Sequence, residues 1–323
     1  MYLKNKKVLI TGGTGTFGKE FVKQALAHEV KKIYVFSRDE LKQSEMQKFY
    51  KDEDRISFLI GDIRDYNRLK RAFTDINIVV HAAAQKQVPS CEYNPYEAIR
   101  TNIIGAQNII EAAIDTKVKR VIFISTDKAV NPVNLYGATK LCMEKLAISG
   151  ASYVGSKDVR ISVVRYGNVI GSRGSVINVF KEAKKTGKIP ITDNRMTRFW
   201  LTVDQGVEFV LTALKYMKGG EIFIPKIPSM RVVELAEAIA PECKIDMIGI
   251  RQGEKLHETL ISNEESRNVL NCGEFFIIKP VFDWLNYEVP FADFSEVDGD
   301  FSYSSDNNTE RLSVSEMENI LNG

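Results

Sequence analysis

Val8-Leu9-Ile10-Thr11-Gly12-Gly13-Thr14-Gly15-Thr16-Phe17-Gly18 is the stretch that decides the fold. An apolar run gives way to glycines at 12, 15 and 18, and then to an amphipathic stretch from Phe17 to His28. Strand, glycine turn and helix in that order suit a dinucleotide. The glycines permit a tight turn, close approach of backbone to pyrophosphate and close helix packing, while the helix N-terminus offers free N–H groups to phosphates. Glycines alone say little, because any strand-to-helix turn can carry them; their position between an apolar strand and an amphipathic helix is what gives the signal its weight. Gly12, Thr14, Gly15, Thr16, Phe17 and Gly18 are therefore the first expected cofactor contacts.

The next strands extend the same site. Val35-Phe36 ends in Ser37-Arg38-Asp39. An acidic residue directly at this strand end would accept the ribose hydroxyls of NAD, whereas the hydroxyl of Ser37 and the guanidinium of Arg38 suit the 2′-phosphate of NADP. A plainer reading has Ser37 capping the next helix and Arg38 in solvent, and Asp39 keeps NAD open. Gly61-Asp62-Ile63 follows the third strand, where Asp62 is placed to accept from an adenine amino group or simply to cap a helix. Ala82, Ala83 and Ala84 close the fourth strand with small side chains that let a flat cofactor lie against backbone, and His81 reads as a buried structural residue.

Working outward, Ile33 to Phe36, Ile56 to Ile60, Ile78 to Val80 and Val121 to Ile124 are near-continuous apolar runs, and helical periods such as Glu97 to Thr116 lie between them. Such strands belong to a parallel sheet covered on both faces. The expected fold is α/β, a doubly wound parallel sheet of Rossmann type. Beyond about residue 165 glycine-punctuated loops break the alternation, so residues 1–165 are expected to form the dinucleotide-binding domain and 166–323 a smaller, interleaved substrate-binding lobe. The polar tail should end in a short helix capped by Ser313 with Glu316 three residues on.

Composition narrows the function. The 323 residues are 44% hydrophobic and 27% charged with a net charge of +2, an ordinary globular balance that calls for neither nucleic acid nor an anionic membrane as partner. No signal-peptide core and no apolar run of membrane-spanning length is present. Cys91, Cys142, Cys243 and Cys272 stand far apart, which fits a reducing cytoplasm and no metal knuckle. His257-Glu258 lacks the second histidine of a zinc-protease helix, and no GxSxG elbow of a triad hydrolase occurs.

The chemistry concentrates in Ser125 to Lys140. Tyr136 and Lys140, four apart, share one helix face. A nearby ammonium favours the phenolate and makes tyrosine a usable base, one that can take a hydroxyl proton while hydride leaves for a nicotinamide. Thr126, Asp127 and Lys128 stand where the fifth strand ends, at the ligand crevice of such sheets. A plain oxidoreductase has no use for a second acid–base pair there, but a dehydratase does. The competing reading is a surface ion pair or a helix cap.

Taken together, Thr11 to Gly18, Ser37 to Glu40, Ala82 to Pro89, Ser125 to Lys140, Tyr166 to Val169, Gly171 to Ser175, Ile191 to Trp200, Ile224 to Met230, Gly249 to Glu258 and Tyr303 to Asn308 resemble the inverting UDP-N-acetylglucosamine 4,6-dehydratases, extended short-chain dehydrogenase/reductases of the pseudaminic acid type. The resemblance spans nearly the whole chain. It implies NADP as cofactor, UDP-N-acetylglucosamine as substrate, a cytoplasmic homo-oligomer, and roles for single residues. Tyr136 and Lys140 would oxidise C4 beside Thr126, Asp127 would serve as acid and Lys128 as base in the elimination across C5 and C6, and Lys86 would face the sugar. Asn168, Arg173, Ser175, Thr192, Met196, Arg198, Arg251 and Glu254 would hold the UDP portion. Two places depart from the pattern. Ala98 stands where many relatives have a cysteine, and the stretch from Lys279 to Gly299 is shorter. Both C5 inversion and release of a 5,6-ene therefore stay open, with a nucleotide-sugar 4-epimerase or reductase and a non-catalytic NADP-binding scaffold as further alternatives.

Overall fold

The computed structural model describes residues 2–154, 158–172, 175–281 and 287–322. Five strands follow the expected runs, β1 (Lys7–Thr11), β2 (Lys32–Ser37), β3 (Ile56–Ile60), β4 (Ile78–His81) and β5 (Arg120–Thr126), and a sixth that the runs did not include, β6 (Arg160–Tyr166), joins them. They lie in the order 3-2-1-4-5-6, every neighbouring pair parallel. The order reverses between β1 and β4, which opens a crevice at the carboxyl ends of those strands. Burial on both faces explains the continuous apolar runs: Val8, Leu9, Ile10, Val79, Val80, Val121 and Ile122 are all inaccessible.

The sheet does not stop at β6. Ile222–Pro225 adds a further parallel strand, and Phe275–Ile278, Val269–Asn271 and Ser295–Glu296 complete that edge antiparallel, making ten strands in all. The expected doubly wound, parallel Rossmann-type sheet is present, with antiparallel strands confined to the far edge. Those strands come from the C-terminal half, so the two halves of the chain share one sheet. A second apolar cluster, including Ile177, Phe180, Ile189, Trp200, Leu235 and Met317, packs apart from the sheet.

The helix expected from Glu97 to Thr116 is interrupted. Pro95–Ile99 and Gly105–Thr116 flank a π turn, Arg100–Ile104. That turn buries Asn102, whose side chain accepts from the Gln85 amide at 2.8 Å and donates to the Gln85 carbonyl at 2.8 Å and to Thr139 Oγ1 at 3.0 Å. It thus fastens the loop after β4 to the helix Leu135–Gly150, as π turns at functional sites often do. The tail forms the expected helix Val314–Asn322, with Ser313 and Glu316 capping each other. Among the described residues no helix is long and apolar enough to cross a membrane.

Candidate active site

At the crevice, Gly12 adopts φ +68°, and a β-carbon there would lie 2.9 Å from the amide nitrogen of Ala83. At Gly18 it would sit 2.5 Å from the backbone of Gly13. Glycine at these points brings the β1 turn against the end of β4 and sets the helix Thr16–Ala27 directly behind it. That helix has no side-chain cap at Gly15, so its first N–H groups stay available. Gly12, Thr14, Gly15, Thr16, Phe17, Gly18, Ser37, Arg38, Ile63, Ala82, Ala83, Ala84, Tyr136 and Lys140 all border one cleft of about 650 Å³.

Asp62 does not border it. Its carboxylate is held by the Arg64 guanidinium at 2.6 Å and by the Arg64 amide at 2.9 Å, so its acceptor capacity is already engaged. Asp39, not Ser37, caps the helix Glu40–Phe49, accepting from the Lys42 amide at 3.0 Å. Ser37 Oγ accepts from Gln43 at 3.0 Å. Arg38 is exposed at the rim, 3.7 Å from Asp62, and Lys42 borders the same end of the cleft. His81 is buried and paired with Thr11 at 2.8 Å; burial, with Lys140 adding to it, pushes its pKa down to about 3, so it stays neutral.

Asn134 starts the helix Leu135–Gly150, accepting from the Gly137 amide at 2.8 Å, while its amide donates to the Gly253 carbonyl at 2.8 Å. Tyr136 and Lys140 share one face as expected. Lys140 Nζ, however, donates to the Ile124 carbonyl at 2.5 Å, and burial pulls its pKa down to about 8. Burial pushes the Tyr136 phenol up to about 12, and the cation that opposes this is Lys128. In the unliganded protein Lys128 opposes that rise without cancelling it.

Lys128 is the centre of a charge cluster. Its Nζ lies 3.0 Å from Asp127 Oδ1 and 3.1 Å from Glu258 Oε1, and both carboxylates are buried. Thr126 Oγ1 donates to Asp127 Oδ1 at 2.9 Å. Burial, reinforced by Glu258, raises the pKa of Asp127 despite Lys128. Burial works against the charge of Lys128, but Asp127 and Glu258 override it and hold the amine above its ordinary range. Glu258 ends low: burial opposes its charge, yet Lys128, Arg198 and Lys255 outweigh that. Of these groups only Thr126 and Lys128 border the cleft, with Asp127 and Glu258 behind them. Sequence reasoning considered Glu258 only as half of a metal motif and so missed its place here; the signal available was its position at the end of the 249–258 block.

Lys86, expected to face the sugar, and Asn168 and Ser175, expected to hold the UDP portion, border the cleft, and Asn168 Oδ1 and Ser175 Oγ are buried without a hydrogen-bond partner among the described residues. Arg173 lies outside the described residues. The structure does not bring the others to the cleft. Arg198 is buried, its Nη atoms donating to the carbonyls of Thr197 at 2.6 Å, Leu256 at 3.1 Å and Lys255 at 3.0 Å. Met196 belongs to the second apolar cluster, and Thr192 donates to its sulfur at 3.3 Å. Arg251 pairs with Glu254 at 3.7 Å on a loop beyond the cleft. Sequence alone cannot tell that the fork of Arg198 is already filled by backbone carbonyls.

A family model described as polysaccharide biosynthesis protein matches residues 8–280. An inverting UDP-N-acetylglucosamine 4,6-dehydratase from Campylobacter jejuni is 49% identical, over 98% of this chain and 97% of its own. A UDP-glucose 4-epimerase from Rickettsia canadensis is 40% identical over 98% of this chain and 95% of its own. The X-ray structure of Pen from Bacillus thuringiensis superposes with a TM-score of 0.91 at 41% identity, covering 100% of both chains.

Proposed function

The chain belongs to the polysaccharide biosynthesis protein family, among the extended short-chain dehydrogenase/reductases that act on nucleotide sugars with a nicotinamide dinucleotide, and from that premise we propose that it dehydrates UDP-N-acetylglucosamine across C5 and C6. The observation that carries this reading is the meeting of two acid–base systems at one cleft: Tyr136 and Lys140 on their helix, and at the end of β5 Lys128, with Asp127 joined to it directly behind. An epimerase or reductase uses the first and leaves the second idle.

The cradle fits the cofactor. The glycine turn against Ala83 and the uncapped helix behind Gly15 present backbone N–H groups where a pyrophosphate needs them, and Arg38 at the rim suits a 2′-phosphate. A nicotinamide dinucleotide bound there, NADP in this reading, would supply reversible hydride acceptance, so that no net oxidation of the sugar nucleotide would result. Tyr136, as phenolate, accepts the C4 hydroxyl proton. The resulting ketone acidifies the C5 proton. Asp127 and Lys128 are joined at 3.0 Å, so one proton passed from ammonium to carboxylate gives a neutral amine and a carboxylic acid together. The amine takes the C5 proton, the acid protonates the departing C6 hydroxyl, and water leaves with the pair restored to its charged form. Lys86, Asn168, Arg173 and Ser175 are assigned to the sugar nucleotide, for which the unpartnered polar atoms of Asn168 and Ser175 are suited.

Reprotonation at C5 from the opposite face gives a 4-keto-6-deoxy sugar inverted at C5, the entry to pseudaminic acid. A second outcome is favoured by Ala98, which is buried beside Cys91 and Tyr136 and has no proton to give: release of a 5,6-ene sugar, in which the hydride would go back to C4 rather than C6. Incubating the purified protein with UDP-N-acetylglucosamine in D2O and following the product by NMR and mass spectrometry tests the proposal. Loss of water with a C6 methyl and deuterium at C5 supports full dehydration, and an olefinic C6 methylene supports the second outcome. A C4 epimer of unchanged skeleton would replace both with the activity named for the Rickettsia relative. A cytoplasmic homo-oligomer belongs to the same reading, and light scattering on the purified chain checks the assembly.

A further inference from the structure

Glu258 has a peculiar environment for a carboxylate. It is 2% exposed, comes from the C-terminal half of the chain, and reaches the end of β5 to meet Lys128 at 3.1 Å. Its Oε2 has no hydrogen-bond partner. Lys255 Nζ stands 3.8 Å from it but donates to the Val130 carbonyl, and Arg198 Nε stands 3.9 Å from Oε1 with its other nitrogens on backbone carbonyls. A buried carboxylate left half unsatisfied costs stability, and both of these cations stand beyond hydrogen-bond distance. Among the described residues its one close partner is Lys128, the charged member of the cluster that reaches the cleft.

We propose that Glu258 is a positioning residue for this reaction: it anchors the Lys128 ammonium at the cleft and governs when that amine releases its proton. Lys128 is then held between two carboxylates, Asp127 on its own turn and Glu258 from the opposite lobe. Asp127 can exchange a proton with it and return it within one turnover. Glu258, set behind the pair and surrounded by Arg198 and Lys255, stays charged and keeps the ammonium in place until the exchange occurs. The groups that face Lys128 are thus Asp127, Glu258, Arg198, Lys255 and, from the helix Leu135–Gly150, Tyr136. Arg198 gains a role as well. By binding the carbonyls of Lys255 and Leu256 it fixes the segment that delivers Glu258, so the C-terminal lobe sets the geometry of a lysine in the N-terminal half.

The inference rests on the dehydratase reading for its consequence, but its core can be measured without turnover. Trace labelling with acetic anhydride across a pH series, read peptide by peptide by mass spectrometry, gives the midpoint at which Lys128 becomes nucleophilic. In Glu258→Gln, which keeps the shape and removes the charge, the midpoint should fall by roughly one unit or more, because an opposite charge at this range supports the ammonium by about that much. The ascending limb of kcat against pH should move in the same direction, with KM for the UDP-sugar little changed. Glu258→Asp should restore part of the wild-type midpoint, and it serves as the second variant if the amide fails to fold. An unchanged Lys128 midpoint in either folded variant overturns the proposal, even if thermal stability drops. A shifted midpoint with an unmoved kcat profile overturns it too, since Glu258 would then set a charge the reaction does not use. Absence of turnover by the wild type sinks the dehydratase reading alone, and the labelling comparison still decides whether Glu258 holds Lys128.

Discussion

Gly137 lies so close to Lys128 that a β-carbon on the glycine would overlap the lysine's carbonyl oxygen. The helix carrying Tyr136 therefore rests directly on the turn carrying Asp127 and Lys128, and the absence of a side chain sets their spacing. Gly137→Ala must push the two apart. Overpacking of this kind costs about 1–3 kcal/mol, and a displacement of about 1 Å at reacting groups lowers rates by about 100-fold. The expected outcome is a modest fall in Tm with a drop in kcat of that order. An alanine variant with wild-type kcat would show that the contact does not set the spacing of the two systems.

Tyr136→Phe separates the two acid–base systems chemically. Removing a general base costs about 100- to 10,000-fold, while the cleft and its cofactor contacts stay intact. Because burial pushes the phenol up to about 12 in the unliganded protein, the active phenolate becomes more abundant as pH rises, and kcat/KM should climb with pH on the alkaline side. The phenylalanine variant should bind NADPH normally, measured by the fluorescence of the reduced cofactor, and its residual kcat/KM should lack that limb. A retained limb would assign it to another group, with Lys140, whose pKa is pulled down to about 8, the first to examine.

What could be read from the sequence follows from how local the determinants are. Strands β1, β4 and β5 were legible because they are buried on both faces and so spell nearly unbroken apolar runs, whereas β6, interrupted by Ser162 and Arg165, was not. Thr126, Asp127, Lys128, Tyr136 and Lys140 were legible as a set because they fall within one strand, one turn and one helix, already ordered along the chain. Glu258 was not, since only the fold brings it across to Lys128. The surroundings of Arg198 were not legible for the same reason: its partners, carbonyls of a distant loop, are set by the fold. The π turn at Arg100–Ile104 keeps an amphipathic period on either side and leaves no mark in the pattern. A buried arginine in β6, Arg165, is paired with Glu144 at 2.7 Å and Glu265 at 2.8 Å, a triad that sequence alone cannot assemble.

Cofactor choice should turn on Arg38. It is the exposed cation at the rim of the cleft beside Ser37. Charge-assisted hydrogen bonds contribute about 1.5–3 kcal/mol, so Arg38→Ala should weaken NADP by roughly 10- to 100-fold and leave NAD nearly unchanged. Titration of both cofactors against both proteins reads the ratio directly. Equal losses for NAD and NADP would mean that Arg38 supports the cleft without contacting a 2′-phosphate.

Stability should carry its own pH signature from Glu221, far from the proposed chemistry. This carboxylate is inaccessible at the start of the strand Ile222–Pro225. It accepts from Ser162 Oγ at 2.7 Å and from the amides of Lys218 at 2.9 Å and Gly219 at 2.8 Å. Those donors favour the charged form, yet burial outweighs them and pushes the pKa up to about 7. In the unfolded chain a glutamate titrates near ~4.3. Between those values the folded protein retains a proton that the unfolded chain has released. The contribution to stability is therefore complete below the unfolded pKa and is lost as pH rises through about 7, a change on the order of a few kcal/mol. Glu221→Gln cannot ionise, so the difference between wild type and variant isolates this group from every other titration. The absolute stability of the variant is a separate matter, because its amide would meet the Gly219 N–H donor to donor. Urea midpoints at pH 5 and pH 8 are the measurement: the wild type should lose more stability across that interval than Glu221→Gln. Equal losses would mean that Glu221 is ionised throughout and that its three donors, not burial, decide its charge.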